Sequence, residues 1–182
     1  MTHHIYLVLT NSETLPSKII RLYTRNEFNH ILISMDASLE TMYSFGRKTL
    51  YNPFHGGFVE EGIDSAFFRR FSKTTCEVFA LPVSKKQHQL LQKQISAFIE
   101  NQQELDYNYI GILYCMFNKN KERQNAYFCS QFVSLLLANA DIISMEKQFI
   151  IPSHAQNIEG IQQVFKGQLA DYPRATIEKS IG

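Results

Sequence analysis

Cys129 and His30 have the residue types and settings that nucleophilic catalysis requires. Cys129 stands in Tyr127-Phe128-Cys129-Ser130-Gln131-Phe132-Val133, where apolar spacing predicts a buried helix over about 127–140. A thiol in the first turn of a helix faces the positive end of the dipole. This favours the thiolate and predicts titration below the ordinary value of about 8.5. A working thiolate also needs a base or an imidazolium partner. His30 offers one in Asn29-His30-Ile31-Leu32-Ile33-Ser34-Met35, which reads as a buried strand. Both residues have a plainer reading as well. Free cysteine is often simply buried, and Cys129 shares a helical face with Phe132, Val133 and Leu136.

An imidazole base needs a third polar group to orient it. Ser44, on the return strand of the predicted hairpin, should face the same side as His30, and Glu40 nearer the turn is the stronger acceptor. His55 is the rival histidine, in the glycine-rich segment Asn52-Pro53-Phe54-His55-Gly56-Gly57. Tyr51, Phe54, His55 and Phe58 in that segment, with Tyr107 before the cysteine helix, are the candidate substrate contacts. Tyr109 is a further possible donor, and aromatic core is the alternative role for both tyrosines. Cys76 and Cys115 lack a helix-start setting and read as structural.

These residues need elements to hold them. A strand is predicted over 4–10, then a helix over 14–24 capped by Thr14 with Pro16 in its first turn. Strands over 30–35 and 41–45 make a hairpin. Gly46 to Gly62, with four glycines and Pro53, reads as a long loop of the kind that serves as a lid. A short helix over 64–71 and a strand over 75–81 ended by Pro82 follow. Ser84-Lys85-Lys86-Gln87 is a capping box opening an amphipathic helix to about 102, with Leu91, Ile95, Phe98 and Ile99 on its buried stripe. A helix over 107–117 and the cysteine helix, capped by Asn125, come next, and the tail from Phe149 carries no long element. The expected class is α+β in a single domain over 1–182: a small antiparallel sheet packed against helices, the Cys129 helix lying on the face that bears His30.

Composition narrows the function. The chain has 182 residues, a net charge of +1, and 45% hydrophobic and 19% charged residues, as in ordinary globular proteins. That charge gives no field for nucleic acid or anionic membrane, and Lys119, Lys121 and Arg123, interrupted by Glu122, read as a solvated loop. Three cysteines without a disulfide or zinc spacing point to a reducing compartment. The N-terminus lacks the features of a signal peptide and no run reaches membrane-spanning length, so the expected location is cytoplasmic. No metal, nucleotide or serine-hydrolase motif is present, so no cofactor is expected. The oligomeric state is open.

His30-Ile-Leu-Ile-Ser-Met, Met42-Tyr-Ser-Phe-Gly-Arg-Lys48 and Phe128-Cys-Ser-Gln-Phe-Val133 together resemble the YiiX/YebB-like branch of the NlpC-type cysteine hydrolases. The segment Tyr51–Phe58 and the tail from Phe149 look similar again, so the resemblance covers most of the chain. It implies a circularly permuted papain-like fold with the histidine strand ahead of the cysteine helix. It also implies a Cys–His pair, with a third polar residue that is often acidic, whereas this chain has Ser44 there. The activity implied is hydrolysis of an amide in a peptide or muropeptide-like substrate through an acyl-enzyme on Cys129, with His30 as base. The lecithin–retinol acyltransferase group shares the residue order and acts on lipid acyl esters. Phe45, Tyr51, Phe54, Phe58, Phe67 and Phe68 are the residues to line the apolar groove such an activity needs. A non-catalytic binding module keeping the fold is the other alternative.

Overall fold

The computed structural model describes residues 3–11, 27–49, 52, 55–107, 126–148, 151–174 and 176–177. Its centre is β1 (His3–Asn11), whose run Ile5-Tyr6-Leu7-Val8-Leu9 is buried on both faces. Such a run suits only an interior strand, and β1 pairs antiparallel with β2 (His30–Ser34) on one side and β5 (Thr75–Val83) on the other. β3 (Met42–Arg47), β4 (Gly56–Glu61) and β8 (Gln162–Gln168) complete a six-stranded antiparallel sheet in the order β4-β3-β2-β1-β5-β8. The fold is therefore α+β, as composition and periodicity predict.

Alternation along the strands separates two cores. Ile5, Leu7, Leu9, Ile31, Ile33, Phe45 and Phe58 face one side, under helices α2 (Lys85–Glu100) and α3 (Cys129–Asn139). Tyr6, Val8, Leu32, Met42, Cys76 and Val78 face the other, covered by α1 (Ala66–Arg70) and by Leu169, Tyr172 and Ile177. Leu7, Leu9, Ile31 and Ile33 are fully buried, each contributing about 1.5–3 kcal/mol on an extended-chain reference. A two-residue parallel pair, β6 (Asp106–Tyr107) with β7 (Ala126–Tyr127), leads into α3. Ser84 caps α2 through the expected box: its hydroxyl accepts from Gln87 N–H while the Gln87 side chain accepts from Ser84 N–H.

Several expectations need correction. Gly46 to Gly62 is not one loop: 56–61 is strand β4, paired with β3 through Phe45↔Phe58 and Ser44↔Val59. Paired glycines at the strand start hid its alternation. Pro82 does not end β5, which runs to Val83; β8 pairs only as far as Ala80, so no ladder partner is denied the missing N–H. The tail does contribute a strand, β8, whose polar residues suit a sheet edge. The cap position of α3 is Phe128, with no side-chain hydrogen bond. Tyr107 belongs to β6. The predicted helix over 14–24, Cys115, Tyr109, Asn125 and most of 107–117 lie outside the described residues.

Candidate active site

An aromatic cluster fixes the start of α3. Phe132 packs against Phe45 at 5.3 Å and Phe98 at 4.9 Å between ring centroids, and Tyr127 meets the same two rings at 5.2 and 5.6 Å. Tyr127 and Phe132 flank Cys129 in the chain, so these contacts hold the thiol against β2 and β3. Cys129 is the first residue of α3 and is buried. The backbone N–H groups of Ile31, Ser130 and Cys129 itself favour the thiolate there.

α3 does not lie on the face that bears His30. It covers Ile31 and Ile33, because these, with Leu7 and Leu9, supply the continuous apolar surface its own buried stripe needs. Alternation turns His30 to the Leu32 side. The β2–β3 ladder opens at this point. Pairing of β2 with β3 spans only Ile33↔Tyr43 and Ser34↔Met42. Nearer His30, the Ile31 carbonyl accepts from the Ser44 hydroxyl at 2.6 Å and the Ile31 N–H donates to the Cys129 sulfur. A sulfur bonded to that nitrogen lies within roughly 6.5 Å of His30 Cα, inside the sweep of an imidazole. The His30 ring lies along the same opening: a Cβ on Gly46 would stand 3.6 Å from its Cε1 and 3.7 Å from its Nε2. No hydrogen bond joins imidazole and thiol among the described residues.

The electrostatics differ from the sequence expectation. Burial pushes the Cys129 thiol up to about 11, and the three N–H donors only partly oppose it. Burial first, then the Arg47 charge, pushes His30 down to about 4. Both groups therefore rest neutral, a thiol and an imidazole, with no preformed ion pair.

Ser44 is buried, but its hydroxyl is committed to Ile31 and braces β2 rather than orienting the imidazole. Glu40 is exposed in the hairpin turn. His55 is exposed, and its carbonyl accepts from Lys48 N–H at 2.9 Å. Phe58 is 3% exposed, stacked on Phe98 at 5.9 Å, so it builds core instead of contacting solvent or ligand. Phe45 and Phe68 are likewise buried. Tyr107 is half-buried against the helix-side core. Tyr51 and Phe54 lie outside the described residues.

Arg47, whose charge acts on His30, and Glu61, which feels Arg47, carry no signal in the sequence. The Arg47 guanidinium stands 5.5 Å from the Phe67 ring and 5.6 Å from the Phe71 ring, and its Nη2 is buried without a hydrogen-bond partner. The Glu61 carboxyl is pushed up to about 7 by burial, against the pull of Arg47. No group of three or more metal-ligating side chains occurs among the described residues. No helix among them is long and apolar enough to cross a membrane. No protein-family model, curated protein or solved structure matches this chain.

Proposed function

We propose that the chain is a cysteine hydrolase of the permuted papain-like type, cleaving an amide in a peptide or muropeptide-like substrate. The observation that carries the reading is the seat of the Cys129 sulfur. It lies at the N-terminus of α3 and on the N–H of Ile31, the residue that follows His30. The Cys129 sulfur attacks the substrate carbonyl as His30 takes the thiol proton, because the resting pair is neutral. Helix-start N–H groups stabilise the oxyanion. The C–N bond breaks, and the amine leaves with the proton held by His30. Water, deprotonated by the same imidazole, then cleaves the thioester, freeing the acid and restoring the thiol. A cytoplasmic setting, suggested by the unpaired Cys76 and Cys129, belongs to the same proposal.

The non-catalytic module has two observations in its favour: α3 and the His30 ring lie on opposite faces of the sheet, and burial keeps both groups neutral. The lipid-ester reading is weakened, since Phe45, Phe58 and Phe68 are core and not groove. Intact-mass spectrometry after incubation with peptide amides, muropeptides and fatty-acyl esters decides among the three. An acyl adduct on Cys129 with amides, lost in Cys129→Ala, is expected. An adduct with fatty-acyl esters alone selects the acyltransferase reading, and none with any substrate selects the binding module.

A further inference from the structure

We propose that Arg47 is an anion-recognition residue, which binds a carboxylate of the substrate on the His30 side of the sheet. The inference deepens the hydrolase reading and rests on it for the word substrate. Arg47 follows Gly46, the residue against which the His30 ring lies, and its charge acts on that ring. The guanidinium is held from one side by Phe67 and Phe71, one helical turn apart in and just beyond α1. Aromatic faces attract a cation without consuming its N–H donors. Nη2 accordingly remains buried with no hydrogen-bond partner, a costly state for a charged donor unless a ligand completes it.

The neighbouring carboxyl does not complete it. The salt bridges among the described residues involve Lys166 and Arg174, and none joins Arg47 to Glu61. Glu61 is also held toward its neutral form by burial. One guanidinium beside a carboxyl that burial pushes toward its neutral form suits a carboxylate better than a dianionic phosphate. Binding there would also help the chemistry. Arg47 disfavours charge on His30, and a bound carboxylate offsets that repulsion, making the imidazole a better base when substrate is present.

The test separates binding from turnover. The Arg47 side-chain Nε–Hε resonance is followed by 15N NMR during titration with glutarate, glutaramide and inorganic phosphate. A saturable shift with glutarate, at a Kd on the order of 1 mM, is expected, with none from glutaramide. The response should be lost in Arg47→Gln and weakened about tenfold in Arg47→Lys, which keeps the charge but not the fork. It should persist in Cys129→Ser, so a failed hydrolase reading leaves the binding result standing. No shift with glutarate, an equal shift with glutaramide, or a response to phosphate alone overturns the assignment. The wild-type ligand comparison needs no variant, so misfolding of Arg47→Gln would not obscure it.

Discussion

The surroundings of Cys129 and Cys76 make the sharpest contrast in the molecule. Both thiols are buried and both are pushed up by burial, Cys129 to about 11 and Cys76 to about 12. Cys76 sits inside β5 beside Val78 and opposite Thr10, on the sheet face away from α3, and the adjacent Glu77 charge pushes it further the same way. Cys129 instead meets three N–H donors from a helix start and a strand. Burial depth alone therefore does not mark a nucleophile. The donors aimed at the sulfur distinguish Cys129, since they lower the cost of the anion that the proposed hydrolysis requires.

The largest effect expected from this contrast is on turnover. Cys129→Ala should remove hydrolysis by at least ~10³-fold, as loss of a nucleophile does. Cys76→Ala should leave turnover within a few-fold and lower stability by about 1–3 kcal/mol, as removal of a small buried group does. Equal retention of activity in both would break the comparison. His30→Ala should cost about 10²–10⁴-fold in kcat if it is the base. Unchanged kcat would mean that the ring beside Gly46 serves packing alone.

Alkylation by iodoacetamide reads the same contrast without a substrate. The lower value at Cys129 predicts more thiolate there than at Cys76 at any pH below both, with the Cys129 rate rising toward pH 11. Peptide-level mass spectrometry across pH measures it. A Cys129 rate that levels off below pH 8 would instead support the thiolate expected from the helix dipole. Burial also has a stability signature. A thiol whose folded pKa is raised favours the fold below the unfolded value and loses that contribution as pH rises through the folded one.

His30 and Glu61 carry opposite signs of the same linkage. His30, lowered from 6.5 to about 4, stabilises the fold above pH 6.5, and the contribution is lost as pH falls toward 4. Glu61, raised from 4.5 to about 7, stabilises below pH 4.5, and the contribution is lost as pH rises toward 7. Between those limits the two oppose each other around Arg47. Urea unfolding of Glu61→Gln should show a steeper loss of stability in acid than the wild type, and His30→Gln a shallower one. Curves parallel to wild type would show that neither group titrates as the burial implies.

Elements are most legible in the sequence where a period is long and uninterrupted. β1, β2, α2 with its Ser84–Gln87 box, and the helix opening at Cys129 all announce themselves by apolar spacing or capping chemistry. β4 was hidden by Gly56 and Gly57, and β8 by the polar residues that an edge strand tolerates. Ser44 was placed on the right strand, but its partner, the Ile31 carbonyl, depends on where the β2–β3 ladder stops. Arg47 was illegible as a site for a similar reason. Its burial arises only when Phe67 and Phe71, some twenty residues later, fold over it.

The smallest expected effect tests the opening itself, at Gly46. A Cβ there would meet Val59 Cγ2 at 3.4 Å and the His30 ring at 3.6–3.7 Å, all ordinary contacts. Gly46→Ala should therefore fold, and the reduced freedom of the unfolded chain should raise stability by about 0.4–1 kcal/mol. Gly57, opposite Gly46 in the ladder, makes the control, because a Cβ there would stand 2.6 Å from the Leu105 carbonyl oxygen. Gly57→Ala should destabilise, since backbone must move to admit it. If the ring uses the space at Gly46 to reach the thiol, Gly46→Ala should lower kcat a few-fold while the fold gains. Gly46→Val, whose extra methyls enter the space of the ring, should approach the His30→Ala rate. Melting curves with steady-state kinetics on the same variants measure both effects. Full kcat in Gly46→Val would show that His30 does not work through this opening.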